Sequence, residues 1–160
     1  MTHTFDAPID DVWAMFGDPD SHVAKFEGMG HHDVTIVDQE RTADRLHLVI
    51  TREVDIDAIP GFAKKFIKPR NTVVSDDVWE RPSDDECGGR FSLDTKGVPM
   101  AIDGSTRATA DGEVTQYEID VDISVKVPII GGKMEGFAKG IVEKQLTQEF
   151  ALGDRWLTDH

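Results

Sequence analysis

The sequence predicts an α+β domain in which a curved antiparallel sheet of about six or seven strands wraps one long C-terminal helix, with two short helices after the first strand. Three observations carry this reading. Runs rich in β-branched residues, separated by turn residues, recur from His31 to Val127. The last run alternates: Tyr117, Ile119, Val121, Ile123, Val125 and Val127 face one way, Glu118, Asp120, Asp122, Ser124 and Lys126 the other. From Ile130 the apolar period becomes helical, through Met134, Phe137, Ala138, Ile141, Val142, Leu146 and Phe150.

Each element has a local cause. "THTFDAPIDDVWAMFGDPDSHVAKF" opens with a short strand, and Asp6-Ala7-Pro8 then starts a helix whose first-turn acids suit the helix dipole. Val12, Trp13 and Phe16 give that helix an apolar face, and Gly17 ends it. Asp18-Pro19-Asp20 starts a second short helix reaching about Gly28. "HHDVTIVDQE" and "RLHLVITREVDI", separated by the turn-like Arg41-Thr42-Ala43-Asp44, form a hairpin. Further strands are expected at "NTVVSDDVWERP", "GRFSLDT", "PMAIDGSTRATA" and "VTQYEIDVDISVKV", the last two joined by the hairpin signal Asp111-Gly112. Between the third and fourth strands, "DAIPGFAKKFIKPR" sets Ile59, Phe62, Ala63, Phe66 and Ile67 at helical spacing, with Lys64, Lys65, Lys68 and Arg70 as a basic patch. This predicts a short amphipathic helix that closes the core with its lysines in solvent or, in the functional reading, acts as a lid over the cavity mouth. In the C-terminal helix, Trp156-Leu157 extends the apolar stripe and Gly153 is placed to bend or cap the end. No repeat, low-complexity stretch or linker divides the chain, so one domain spanning 1–160 is expected.

Composition narrows the partners. With 160 residues, 39% hydrophobic and 30% charged, the chain suits one core that can also enclose a modest cavity. A formal net charge of −14 repels phosphate backbones and anionic membrane surfaces, so nucleic acid is not an expected partner. The start lacks the basic and apolar regions of a leader, and no apolar run is long enough for stable membrane insertion; a cytoplasmic location is the expectation. The single cysteine, Cys87, stands between an acidic run and Gly88-Gly89, which predicts an exposed turn and no activated thiolate.

The order strand, two short helices, antiparallel strands and a long last helix is that of the helix-grip fold. "FDAPIDDVWAMFGDP" and "VPIIGGKMEGFAKGIVEKQL" are similar to segments of the START-like (SRPBCC) superfamily, which includes birch-pollen-allergen-like proteins and polyketide cyclases. The "VP-x-x-GGK-x-E" corner resembles an uncharacterised bacterial branch known as a domain of unknown function. The resemblance implies a space between sheet and helix that holds a hydrophobic molecule, and it also allows a cyclase-type or dehydratase-type reaction or a co-chaperone-like docking role.

The residues argue for binding over chemistry. Gly131-Gly132 lacks the spacing of a phosphate loop and follows an antiparallel strand, so it reads as a tight corner, with Lys133 and Glu135 facing solvent. His31 and His32 point to opposite faces of a strand, and no metal-ligand spacing occurs, so neither a metal nor a cofactor is expected. Ser75, Ser92, Ser105 and Ser124 lie in strand-like runs without a nucleophile elbow. The expected activity is therefore non-enzymatic binding or transport of a lipid-like, isoprenoid or polyketide-like molecule. Its expected lining is Trp79, Phe91, Met100, Ile102, Tyr117, Met134, Phe137 and Ile141, with Phe62 and Phe66 at the mouth. Under the rival enzyme reading, the polar candidates are Tyr117, Arg52, His47 and Asp77, of which His47 has outward strand parity.

Overall fold

Strands that follow one another in the chain pair with one another in space. The computed structural model describes residues 1–160. Its elements are β1 (Thr2–Phe5), α1 (Ile9–Phe16), α2 (Pro19–Gly28), β2 (His32–Arg41), β3 (Arg45–Asp55), β4 (Arg70–Ser83), β5 (Glu86–Thr95), β6 (Met100–Asp111), β7 (Val114–Val125) and α3 (Gly131–Asp159). Consecutive antiparallel pairs run from β2 to β7, and β1 returns beside β7, so the seven-stranded sheet has the order β1-β7-β6-β5-β4-β3-β2. With its long last helix, this α+β architecture agrees with the helix-grip arrangement. No helix is long and apolar enough to cross a membrane.

Local chemistry fixes the termini of the elements. Pro19 occupies the first turn of α2, and the Asp18 side chain caps it by accepting the Asp20 N–H at 2.9 Å. Gly112 turns the β6–β7 hairpin with a positive φ of 66°. In β3 every second side chain from Leu46 to Val54 is buried, and this row (Leu46, Leu48, Ile50, Arg52, Val54) defines the interior face. One member of the row is an arginine.

Several expectations need correction. The segment from Gly61 to Phe66 is a set of turns, not a helix, held by Ala63 N–H to Pro60 O at 2.9 Å and Ile67 N–H to Ala63 O at 2.8 Å. So short a piece, starting on Pro60-Gly61 and running into Pro69, cannot offset the cost of helix nucleation, and its apolar side chains are ordered by tertiary packing instead. Arg70 leaves the basic patch to pair bidentately with Asp55, at 2.7 and 2.9 Å. Cys87 is fully buried on β5 opposite Ala108, because β5 begins at Glu86 and Gly88-Gly89 continue it instead of turning. A Cβ on Gly89 would overlap the Val78 carbonyl across the ladder, so this glycine permits close backbone approach. Gly153 does not cap α3, which continues to Asp159; it is buried within the helix where a Cβ would meet Phe5 at 3.0 Å. Glu135, expected to face solvent, accepts the Val125 N–H at 3.0 Å and ties the helix start to the end of β7.

The core is in two parts. A large cluster joins β1, α1, the first halves of β3 and β7 and the C-terminal half of α3, through Phe5, Trp13, Phe16, Leu48, Tyr117 and Phe150. A small one gathers Ala63, Ile67, Val98 and Met134 around the N-terminal end of α3. The stretch of α3 between them faces space.

Candidate functional site

Three hollows adjoin one another through shared walls. A recess of about 320 Å³ lies between α1, α2 and the C-terminal end of α3, an inner space of about 110 Å³ lies between sheet and α3, and an apolar chamber of about 70 Å³ lies beyond it. Recess and inner space share Phe16, His22, Lys25, Tyr117 and Glu149 as walls. Inner space and chamber share Arg52, Leu93, Ile102, Val142 and Gln145. Together they fall within the roughly 300–1,000 Å³ that small-molecule sites occupy. A further hollow of about 520 Å³ between β7 and α3 is more open and contains none of the inward-facing charged groups described below.

The ten sequence-predicted lining residues divide. Trp79, Phe91, Ile102 and Tyr117 line the inner space, and Met100, Ile102 and Ile141 line the apolar chamber. Met134 is buried in the small core cluster, and Phe137, Phe62 and Phe66 pack against that cluster; none of these four borders the three hollows. Of the polar candidates, Arg52, Asp77 and Tyr117 meet at the inner space, whereas His47 is on the outer face, 2.9 Å from Asp76.

The polar wall is built from α2, β3, β4, β6, β7 and α3. Lys25 on α2 and Glu149 on α3 form an ion pair at 2.7 Å across the boundary between recess and inner space. Burial works against ionising Glu149, but Lys25 and then Arg52 outweigh it and hold the carboxyl below its ordinary range. Asp77 has the opposite outcome: burial pushes its carboxyl up to about 6, against the pull of Lys25 and Arg52. Both carboxylates border the hollows, which accounts for their residual exposure. Burial likewise pushes the Tyr117 hydroxyl well above its ordinary value. His22 and His31 are held neutral by burial, each pushed down to about 4. His22 Nε2 is 2.7 Å from the Phe16 carbonyl, so Nε2–H donates and Nδ1 is left as an acceptor.

Arg52 is the least compensated group. It is 6% exposed, stacks 4.0 Å over the Phe26 ring, and makes one hydrogen bond, from Nη1 to Ser75 Oγ at 3.1 Å. Its Nε has no partner. The other unpartnered buried side-chain atoms are His22 Nδ1, His31 Nδ1 and Thr106 Oγ1, the last near the Tyr117 hydroxyl. All four of these residues line the same inner space. Buried polar atoms are hydrogen-bonded in folded proteins as a rule, so their convergence on one space marks where polar contents are missing. No group of three His, Cys, Asp or Glu side chains is placed to share a metal ion.

The family described as "Protein of unknown function (DUF2505)" matches residues 1–157. The chain belongs to the DUF2505 family. No curated protein matches it. Among solved structures, this DUF2505 chain is similar to the crystal structure of TTHA0849 from Thermus thermophilus, with a TM-score of 0.68 at 10% identity over 99% of this chain and 95% of the other. It is also similar to a conserved protein from Geobacillus kaustophilus, with a TM-score of 0.54 at 15% identity over 99% and 93% of the two chains. At these identities the likeness is one of fold.

Sequence reasoning missed His22, Lys25, Ser75, Thr106 and Glu149 of this DUF2505 site. Ser75 and Thr106 carry a readable signal, being polar residues on the inward parity of their strands. Lys25 and Glu149 carry none, because they are 124 residues apart on helices whose facing is set by tertiary packing.

Proposed function

We propose that this protein binds and carries a small hydrophobic molecule between its sheet and its C-terminal helix, without transforming it, and that its family falls within the START-like superfamily. The observation that carries the reading is the unfilled middle of the interior. Between the two core clusters, α3 presents Ala138, Ile141, Val142 and Gln145 to a chamber walled by Val54, Val73, Val98 and Met100. An apolar body entering there gains roughly 25 cal/mol per Å² of surface removed from water. The exposed large apolar side chains, Met1, Val37 and Ile129, are scattered over separate elements, which gives a protein-docking role less support.

The test is titration with a neutral, environment-sensitive naphthylamine dye. Wild type is expected to bind it saturably, and Ile141→Trp, which grows into the chamber, to lose binding while changing stability by less than about 1 kcal/mol. A wild type that binds no dye, or an Ile141→Trp protein that binds it unchanged, refutes the container.

A second reading has one observation in its favour. A carboxyl poised at about 6 beside a guanidinium, as Asp77 is beside Arg52, has the protonation range of a general acid–base group. If the protein is an enzyme on a bound ring, Asp77→Asn abolishes turnover of that compound while leaving dye binding intact; equal recovery of chemically unchanged ligand from wild type and variant excludes it.

A further inference from the structure

We infer that the bound molecule carries a carboxylate, and that Arg52 is the residue that receives it, with the ligand's apolar body in the chamber next to it. This rests on the container reading and adds the chemistry of the ligand's head. Arg52 stands in the buried row of β3, where its neighbours two residues away are Ile50 and Val54. A guanidinium taken out of water is costly unless anions and hydrogen-bond acceptors replace the water. The protein supplies one hydroxyl, Ser75 Oγ, and a ring face, Phe26. Lys25 has already taken Glu149, at 2.7 Å, and Asp77 and Glu149 act on Arg52 only as neighbouring charges, with no hydrogen bond to it. Of the five N–H donors of the side chain, one is used inside the protein, and Nε is buried and unpartnered.

The planar fork that remains suits a carboxylate, which accepts two parallel N–H bonds. Arg52 is also the one charged side chain that walls both the inner space and the apolar chamber. A head on its guanidinium therefore places an attached chain or ring among Val54, Val98 and Met100. Asp77 opposes an anion there less than an ordinary aspartate does: with its carboxyl pushed up to about 6, taking a proton as the head binds costs little, and the protonated form donates to the head. Size follows from volume. The inner space and chamber, about 110 and 70 Å³, compare with about 150 Å³ for an engineered cavity that takes benzene, so the ligand is a mid-length chain or a single ring.

The experiment compares octanoate with octanol, matched in chain and different in head, on wild type and Arg52→Met by titration calorimetry. Wild type is expected to bind octanoate at least about tenfold more tightly than octanol, despite the protein's negative charge. Arg52→Met is expected to lose at least about tenfold for octanoate and to keep octanol within about threefold. Equal binding of both ligands by wild type, or octanoate affinity unchanged in Arg52→Met, overturns the carboxylate assignment and leaves the container standing. Binding of neither ligand overturns both. Should Arg52→Met fail to fold, Arg52→Lys decides: it keeps the charge but not the fork, so octanoate must weaken relative to octanol, and an unchanged ratio overturns the assignment.

Discussion

Acid is expected to weaken this protein through two histidines that the fold holds neutral. His22 and His31 are pushed down to about 4 from an ordinary value of 6.5, mainly by burial, so the unfolded chain binds two protons that the folded chain refuses. Their contribution is intact above their unfolded pKa and is lost as pH falls from 6.5 towards 4. Asp77 acts in the opposite sense: its folded carboxyl, at about 6 against 3.8, binds a proton first, so acid relieves a cost that is largest at neutral pH. The depressed Glu149 and Asp55 remain ionised in this window and do not contribute. Between about pH 7 and about pH 5, each histidine removes about 2 kcal/mol and Asp77 returns about 1 kcal/mol, a net loss of about 2–3 kcal/mol.

Urea unfolding followed by circular dichroism at a series of pH values measures this directly, and the variants sharpen it. His22→Gln keeps an N–H donor for the Phe16 carbonyl, and either single substitution by Gln should remove about 2 kcal/mol of the acid loss, leaving about 1 kcal/mol or less. With His22→Gln and His31→Gln combined, Asp77 is left to dominate, and the slope should change sign, with stability rising by about 1 kcal/mol towards pH 5. The comparison among variants cancels the effect of overall charge. A double variant with the wild-type slope refutes the assignment of the acid sensitivity to this wall.

Met134→Trp provides the contrast to Ile141→Trp: Met134 is 1% exposed in a filled cluster, so the larger ring should cost about 1–3 kcal/mol by overpacking, read from the same urea curves; a neutral result places free space there instead. Cys87 is fully buried and its thiol is pushed up to about 11 by burial, so an aromatic disulfide reagent should label the native protein at least about a hundredfold more slowly than the urea-unfolded chain; prompt labelling shows that β5 opens.

The fold was legible where periodicity and turn chemistry agree. Alternation in β7, the Asp111-Gly112 turn, Pro19 in the first turn of α2 and the switch of period near Ile130 each have a local cause that tertiary structure does not overrule. The misread places are those where a local signal has two physical uses. Gly88-Gly89 reads as a turn, yet in the sheet it serves close approach to β4 and β6. Five apolar residues from Ile59 to Ile67 read as a helix face, yet Pro60, Gly61 and Pro69 leave too few residues to nucleate one. The site was half legible: Arg52, Asp77 and Tyr117 follow from strand parity, whereas Lys25, His22 and Glu149 require the packing of α2 against α3.

The distribution of conflict within the molecule bears on what the interior is for. Towards both ends of α3 the local rules agree: Met134 clusters with Ala63, Ile67 and Val98, and Phe150 clusters with Phe5 and Tyr117 beside the recess. In the middle they disagree together. A guanidinium in an apolar strand row, two neutral histidines with unpartnered nitrogens and a carboxyl pushed up to about 6 by burial all face one small volume. Each unpartnered buried group costs on the order of 1–3 kcal/mol, a large share of a typical stability of about 5–15 kcal/mol, and apolar side chains of similar size would remove the cost. Concentrating such costs at one place while the remainder of the fold is internally consistent is what sites of binding or catalysis do. The role of Gly131-Gly132 then follows from position: the corner sets the start of α3 close to the end of β7, where a Cβ on Gly131 would meet the Val125 carbonyl at 3.0 Å. That anchoring point fixes the line along which the middle of the helix passes over Arg52 and Asp77, so the glycine corner acts on the site by positioning α3 and not by touching a ligand.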